Sequence, residues 1–453
     1  MFSVQFDFRR VADAVAADIA AGRLRPGQRL PPQRVFARRH GIANSTATRV
    51  YGELARRGLV VGEVGRGTFV RAAAPAPSGP ALVEPSTARV DLELNYPVVA
   101  GQAERLAAGL ARLLRPDVLE AALRPVGPPG TPAARSAAAG FLPGRVDPER
   151  VLFSGNGRQA IAGAVSALVP TGGRLAVEEV TYPVVKAIAA RLGVTLVPVA
   201  TDRDGLRPEA LAEAHRRAPF QAVYVQPTLH NPYGTTMPQG RRAALAAVLD
   251  DLGLIAIEDA TWAFLHADAP PPLAATAPGR TIFIDSLSKR LSPGLTIGFA
   301  VPPPHLADRV ATALRSGAWT PTGYALEAAT GWLTDGSADA IVQAKREDAL
   351  ARRRIAAARL PQDAVRAAPC SYYCWWELPA PWRAETFVAA AARHGIAVTP
   401  GAAFVVGPGP AGDGRTPGAV RIGLASPPPG VLADALGTLA RLARSSPEDT
   451  WDG

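Results

Sequence analysis

From Asp91 onward the chain repeats one pattern, in which a helical stretch is followed by a short apolar run closed by a small or polar residue. The runs are "RVLF", "RLAVEE", "VTLVPV", "QAVYVQP", "LIAIED", "TIFID" and "IGFAVP". An apolar run without polar alternation is what a strand buried on both faces requires, and helices between the strands supply the cover. The expected body is therefore α/β, with a mostly parallel sheet. It spans 91–453, with a large part over about 120–310 and a smaller C-terminal α+β part over about 311–445. Ligands of such sheets bind at the carboxyl ends of the strands, so the residues just after each run are where chemistry is sought.

Those residues form a set. "SGNGRQAI" follows the first run and opens a helix, so that Ser154, Gly155, Asn156 and Gly157 suit a phosphate at free backbone N–H groups. Tyr182 follows the second run and can stack on a flat ring, although a packing tyrosine is the ordinary reading of such a residue. Asn231 sits in the turn "QPTLHNPYG", Asp259 closes "LIAIED", and "FIDSLSK" delivers Ser286, Ser288 and Lys289. Arg421 lies further on in "AVRIGLA".

Lysine is scarce in this chain, with three against 46 arginines. Arginine cannot lose its proton in a protein, whereas lysine can become a nucleophilic amine. Position 289 thus reads as a place where an amine must react. A phosphate cradle, a stacking ring, an acid and an amine at adjacent strand ends are what pyridoxal 5'-phosphate (PLP) requires. The amine forms a Schiff base with its aldehyde, and the carboxylate keeps the ring nitrogen protonated.

The net charge of +10 is concentrated at the start, where residues 1–80 hold 13 arginines and 5 acidic residues, a net +8. A basic head on a nearly neutral body points to a polyanion. Helical spacing predicts a first helix over Phe8–Ala21 ended by Gly22. After a turn at Pro26-Gly27, Pro31 and Pro32 suit the first turn of a second helix carrying Arg34 and Phe36. Gly41 turns into a third helix, capped by Asn44 or Ser45 and ended by Gly58. "LVVGEVGRGTFVR" then reads as two strands around a Gly-rich turn, a wing. Residues 72–90, rich in Ala, Pro and Ser, read as a linker.

This head resembles a winged helix-turn-helix of the GntR type. Leu30, Pro31, Arg34, Ala37, Thr46, Tyr51, Leu54, Gly65, Gly67, Thr68, Phe69 and Val70 match that motif over 1–71. The resemblance implies binding of double-stranded DNA through Arg34, Ser45, Thr46, Thr48, Arg49 and Arg66, with the third helix in the major groove.

The body resembles the PLP-dependent transferases of fold type I, the class I/II aminotransferases. That likeness implies the cofactor PLP, bound through Ser154, Gly155, Asn156, Gly157, Tyr182, Asn231, Asp259, Ser286, Ser288 and Lys289. It makes Lys289 and Asp259 the catalytic pair and Arg421 the carboxylate-binding arginine. The two likenesses together resemble the MocR/GabR family of transcription regulators. Such a regulator senses an amino compound or PLP itself through an aldimine at Lys289, binds promoter repeats, and forms a homodimer, commonly head-to-tail.

Three positions depart from the pattern. Thr296 stands where an arginine usually grips the phosphate, Trp262 falls in the segment where a tyrosine is usual, and Val184 stands where some relatives carry a basic residue. Two other readings stay open on sequence: an active aminotransferase with an appended DNA-binding domain, and a scaffold without cofactor. Cys370 and Cys374 lie among aromatics as in an apolar strand, and the six histidines show no ligand spacing, so no metal is expected. No apolar run reaches membrane-spanning length and no signal peptide is seen, so a cytoplasmic location without membrane contact is expected.

Overall fold

The computed structural model describes residues 8–20, 23–24, 28–57, 59–63, 67–70, 88–407 and 418–446. In the head, helix α1 (Phe8–Ala20), α2 (Gln33–His40) and α3 (Asn44–Arg56) are followed by strands β1 (Val60–Glu63) and β2 (Gly67–Val70). The strands pair antiparallel, with Val60 opposite Val70. Phe8, Ala12 and Val15 of α1 meet Phe36 of α2 and Ala47, Val50 and Leu54 of α3 in one small core. Gly41 takes φ +62°, the left-handed turn that lets α2 stop and α3 start at once.

Two expected caps differ. Pro32 stands at the N-cap of α2 rather than in its first turn. Ala43 is the N-cap of α3 and makes no side-chain cap, so Asn44 and Ser45 are helical. Ala21, Gly22, the Pro26-Gly27 turn, Gly58, the wing tip with Gly65 and Arg66, and Arg71 lie outside the described residues, as does 72–87 of the expected linker.

The large part of the body is a seven-stranded sheet in the order Leu152–Ser154, Gly298–Val301, Thr281–Ser286, Ile255–Asp259, Ala222–Val225, Arg174–Glu178, Thr195–Val199. Gly298–Val301 runs antiparallel to both neighbours and the other pairings are parallel. Alternate side chains explain the uninterrupted apolar runs. Leu175, Val177, Tyr224, Ile257, Ile282 and Ile284 pack on one face against Ile161 and Val165 of the helix Gly157–Leu168. Ala176, Val223, Val225 and Ala256 pack on the other against Leu245 and Leu249.

Val310 and Leu314 of the helix Ala307–Ser316 join the first of these cores, so the large part runs beyond residue 310. The small part is a four-stranded antiparallel sheet, Val365–Arg366, Tyr373–Glu377, Ala419–Gly423 and Thr399–Pro400, with Phe387, Leu436 and Leu439 packed against Trp376 and Ile422. Val90 pairs in parallel with Ile396, so the body begins one residue before the expected Asp91. Cys374 is buried in its strand and Cys370 is half-buried, both as free thiols. No helix among the described residues is long and apolar enough to cross a membrane.

Candidate functional site

The strand ends converge on one cavity lined by Asn95, Tyr96, Asn156, Gly157, Arg158, Tyr182, Gln226, Asn231, Asp259, Thr261, Trp262, Ser286, Ser288, Lys289, Thr296 and Arg421. The register places Ser286 opposite Gly298, and Gly298 opposite Ser154. A Cβ at position 298 would stand 2.4 Å from Asn156 O, so only glycine lets the phosphate-type loop lie this close to the sheet.

Lys289 lies in the short helix Leu287–Arg290, which begins at the strand end when Ser286 caps the Ser288 amide at 3.0 Å. Lys345, fully buried, holds that turn from behind by donating to the carbonyls of Lys289 at 3.0 Å and Leu291 at 2.6 Å. Lys289 Nζ donates to Asn95 O at 2.7 Å, and lies 4.8 Å from the Tyr96 ring and 5.3 Å from Trp262. Burial first, then the positive charges of Arg158, Arg421 and Lys345, lower its pKa from 10.5 to about 7. An amine that would be fully charged in water is therefore substantially neutral near neutral pH.

Asp259 is held by four donors. Tyr224 Oη at 2.6 Å and Gln226 Nε2 at 2.9 Å donate to Oδ2, while Thr261 N at 3.0 Å and Thr261 Oγ1 at 2.6 Å donate to Oδ1. Donors to a carboxylate favour its charged form. Burial raises the Tyr224 pKa far above 10, and the Asp259 charge adds to the effect, so Tyr224 stays a donor.

Ser286, Ser288 and Thr296 pool their hydroxyls. Ser286 Oγ lies 2.7 Å from Ser288 Oγ and 3.2 Å from Thr296 Oγ1, and the latter two are 2.8 Å apart. Beside them the helix Gly157–Leu168 starts, its Gln159 amide capped by Asn156 Oδ1 at 3.0 Å. The amides of Gly157 and Arg158 in that first turn have no intrahelical acceptor. Arg290, next to Lys289, is not part of this cradle: its Nη2 is 2.5 Å from Asp285 Oδ2, in a buried pair.

Of the expected residues, Asn156, Gly157, Tyr182, Asn231, Asp259, Trp262, Ser286, Ser288, Lys289 and Arg421 line the cavity. Ser154 and Gly155 do not: the Ser154 hydroxyl donates to Asn156 O at 2.8 Å, and the Gly155 amide to Trp319 O at 3.1 Å. Asn231 Oδ1 and Arg421 Nε and Nη1 are buried without a hydrogen-bond partner. The sequence reading missed Tyr224, Gln226 and Thr261 around Asp259, Asn95 and Tyr96 around Lys289, and Arg158 on the wall. In the head, Arg34, Ser45, Thr48 and Arg49 are exposed, and Thr46 is half-buried. Arg49 lies over the Phe8 ring at 4.2 Å, and Thr48 Oγ1 bonds Gln33 Oε1 at 2.8 Å.

Residues 121–439 match the family of aminotransferases of class I and II. The chain belongs to that family. Ahead of this domain, residues 8–70 match the bacterial regulatory proteins of the gntR family. The uncharacterized HTH-type transcriptional regulator YdeF of Bacillus subtilis (strain 168) is 28% identical over 406 residues, which cover 88% of this chain and 87% of the relative. The HTH-type transcriptional regulator TauR of Rhodobacter capsulatus is 26% identical, over 96% of each chain. Among solved structures, LysN, the alpha-aminoadipate aminotransferase of Thermus thermophilus, superposes with a TM-score of 0.69 at 23% identity, over 78% of this chain and 92% of that one.

A gntR-type DNA-binding domain is thus fused to an aminotransferase-like domain of the PLP-dependent class, the build of the HTH-type transcriptional regulators this chain resembles. The residues present fit that cofactor. Three hydroxyls and two amides suit a phosphate, and a Cβ at Gly157 would intrude to 3.0 Å from the Cβ of Ser286. The unpartnered Asn231 Oδ1 suits a ring hydroxyl.

Proposed function

We propose that the protein is a transcription regulator that binds promoter repeats through its head and is set by an amino compound taken up at Lys289. One observation carries the reading. An amine with a pKa of about 7 shares a cavity with Asp259 and Arg421, on a chain whose first domain is a DNA-binding module.

PLP supplies an electrophilic carbon and an electron-withdrawing ring when bound. Ser286, Ser288, Thr296 and the amides of Gly157 and Arg158 would hold its phosphate, Tyr182 its ring face, Asn231 its hydroxyl and Asp259 its nitrogen. Lys289 would provide the amine, and the Asn95 carbonyl would hold its Nζ. Arg421 receives a carboxylate with its unpartnered Nε and Nη1. Trp262 can donate a hydrogen bond but cannot ionise. A ligand that persists at Lys289 shifts an equilibrium between two protein states by its differential affinity for them.

The head would place Ser45, Thr46, Thr48 and Arg49 in the major groove, with Arg34 and Arg66 on phosphates. A homodimer is part of this reading: Leu114, Leu119 and Leu123, which are 82%, 41% and 77% exposed along one short stretch of the body, offer apolar surface for an interface between copies. The test is absorbance of the PLP-loaded protein against a panel of amino compounds, followed under single-turnover conditions. Spectral change without multiple turnover supports a sensor. The near-neutral Lys289 amine also favours one second reading, an aminotransferase with an appended head. Sustained transamination at ordinary enzyme rates would establish that reading instead.

A further inference from the structure

Two guanidinium groups face the cavity, and neither forms an ion pair with a carboxylate among the described residues. Arg421 Nε and Nη1 are buried without a partner, and no ion pair to a described carboxylate forms at Arg421 or at Arg158. Arg158 follows Gly157 in the first turn of its helix and is exposed on the cavity wall. Its side chain neighbours Tyr182 and Tyr96. The hydroxyls of Ser286, Ser288 and Thr296 bond one another and nearby backbone, and Arg158 is not among their partners.

The remaining charges do not balance the pair. Asp259 is already bound by four neutral donors, and it is the partner for a ring nitrogen. Glu93 lines the same cavity and lies near Arg421, but forms no ion pair with it within 4.0 Å. The charges of Arg158 and Arg421 both act on Lys289, and both side chains interact with Tyr182. Arg158, Arg421, Tyr182 and Lys289 line one cavity, so a molecule held at Lys289 shares that cavity with both cations. A cofactor phosphate would use the Arg158 amide, and the guanidinium bonds none of the cradle hydroxyls.

We propose that the amino compound taken at Lys289 is an amino dicarboxylate, with one carboxylate on Arg421 and the second on Arg158 and the Tyr182 hydroxyl. This rests on the sensor reading of the same cavity. Charge-assisted pairs of this kind typically contribute about one to two powers of ten in affinity. Wild-type protein should therefore take L-glutamate or L-2-aminoadipate at least about tenfold more tightly than L-norvaline, and L-norvaline more tightly than n-butylamine.

The experiment is a spectral titration of PLP-loaded wild type, Arg158→Gln and Arg158→Lys with these four amines. A second arm measures PLP affinity of the apo-proteins, and a third the thermal midpoint of apo-protein with glutarate, a dicarboxylate without an amine. Within Arg158→Gln, the preference of about tenfold or more for the dicarboxylates over L-norvaline should be lost, a ratio in which the changed charge beside Lys289 cancels. Arg158→Lys should recover part of the loss. Glutarate should raise the midpoint of wild type but not of Arg158→Gln.

Equal losses for mono- and dicarboxylates would overturn the proposal, because Arg158 would then act only as a diffuse charge. A tenfold loss of PLP affinity would overturn it in favour of Arg158 as the phosphate grip. If amines bind at Lys289 without preference for dicarboxylates, this inference falls and the sensor reading stands. If no amine changes the spectrum of wild type, both fall.

Discussion

Thr296 Oγ1 lies 2.8 Å from Ser288 Oγ and 3.2 Å from Ser286 Oγ, at a position where the aminotransferase pattern has an arginine. The residue that reads as a lost anchor is in fact the third hydroxyl of a cradle. A hydroxyl contributes a neutral hydrogen bond, so Thr296→Val should cost about 1 kcal/mol, or roughly fivefold, in PLP affinity. Absorbance titration of the apo-protein measures it. A loss of a hundredfold would mean that Thr296 has a larger part than one neutral hydrogen bond.

The pKa of Lys289 lies below its ordinary 10.5, at about 7, so the fold disfavours the charged amine. The neutral form is present above about pH 7 and is lost as pH falls through that value. In stability the sign is the same: the unfolded chain binds the extra proton between about pH 7 and 10.5, so this group's contribution improves as pH rises through that window. The rate of PLP attachment should level off above about pH 7. Arg421→Met removes a like charge and should move the midpoint upward. A rate that keeps climbing about tenfold per pH unit well beyond neutrality would show an ordinary lysine.

Asp259→Asn should destabilise the apo-protein by about 1–3 kcal/mol, because a carboxamide NH2 group would face donors that now bond a carboxylate. Tyr224→Phe removes one of the four donors, the bond at 2.6 Å, and should cost less. Thermal melting of apo-protein orders the two variants; the reverse order would show that Tyr224, and not the carboxylate, organises this cluster.

Much of the site was legible because strand ends are legible. Asp259 and Lys289 follow apolar runs directly, and a run buried on both faces cannot be mistaken for an amphipathic one. What supports them was not legible. Tyr224 and Gln226 reach Asp259 from the neighbouring strand, and Asn95 meets Lys289 across 194 residues of sequence, so no local pattern marks either contact. Ser154 shows the converse error. Its place in a Gly-rich turn suggested a ligand for phosphate, yet its hydroxyl folds back onto Asn156 O. Arg158 was hidden inside the motif that drew attention to its neighbours.

Thr48 and Arg49 stand three and four residues after Ser45, on one exposed face of α3. Arg49→Ala should weaken DNA binding across sequences alike and lower the salt slope by about 1 if the side chain meets a phosphate. The spectrum of the PLP-loaded body should not change. Fluorescence anisotropy at several salt concentrations reads the slope, and an unchanged slope with altered sequence preference would assign Arg49 to a base edge.

The most direct measurement is the affinity for promoter DNA of PLP-treated wild type and Lys289→Ala, each with and without an amino compound that shifts the wild-type spectrum. Wild type should change its DNA affinity by about fivefold or more on adding the amine, the scale of a typical coupling free energy. Lys289→Ala should keep basal DNA binding and lose the response. A Lys289→Ala protein that responds as wild type does, or a wild type that takes up the amine and binds DNA unchanged, would contradict a regulator set through Lys289.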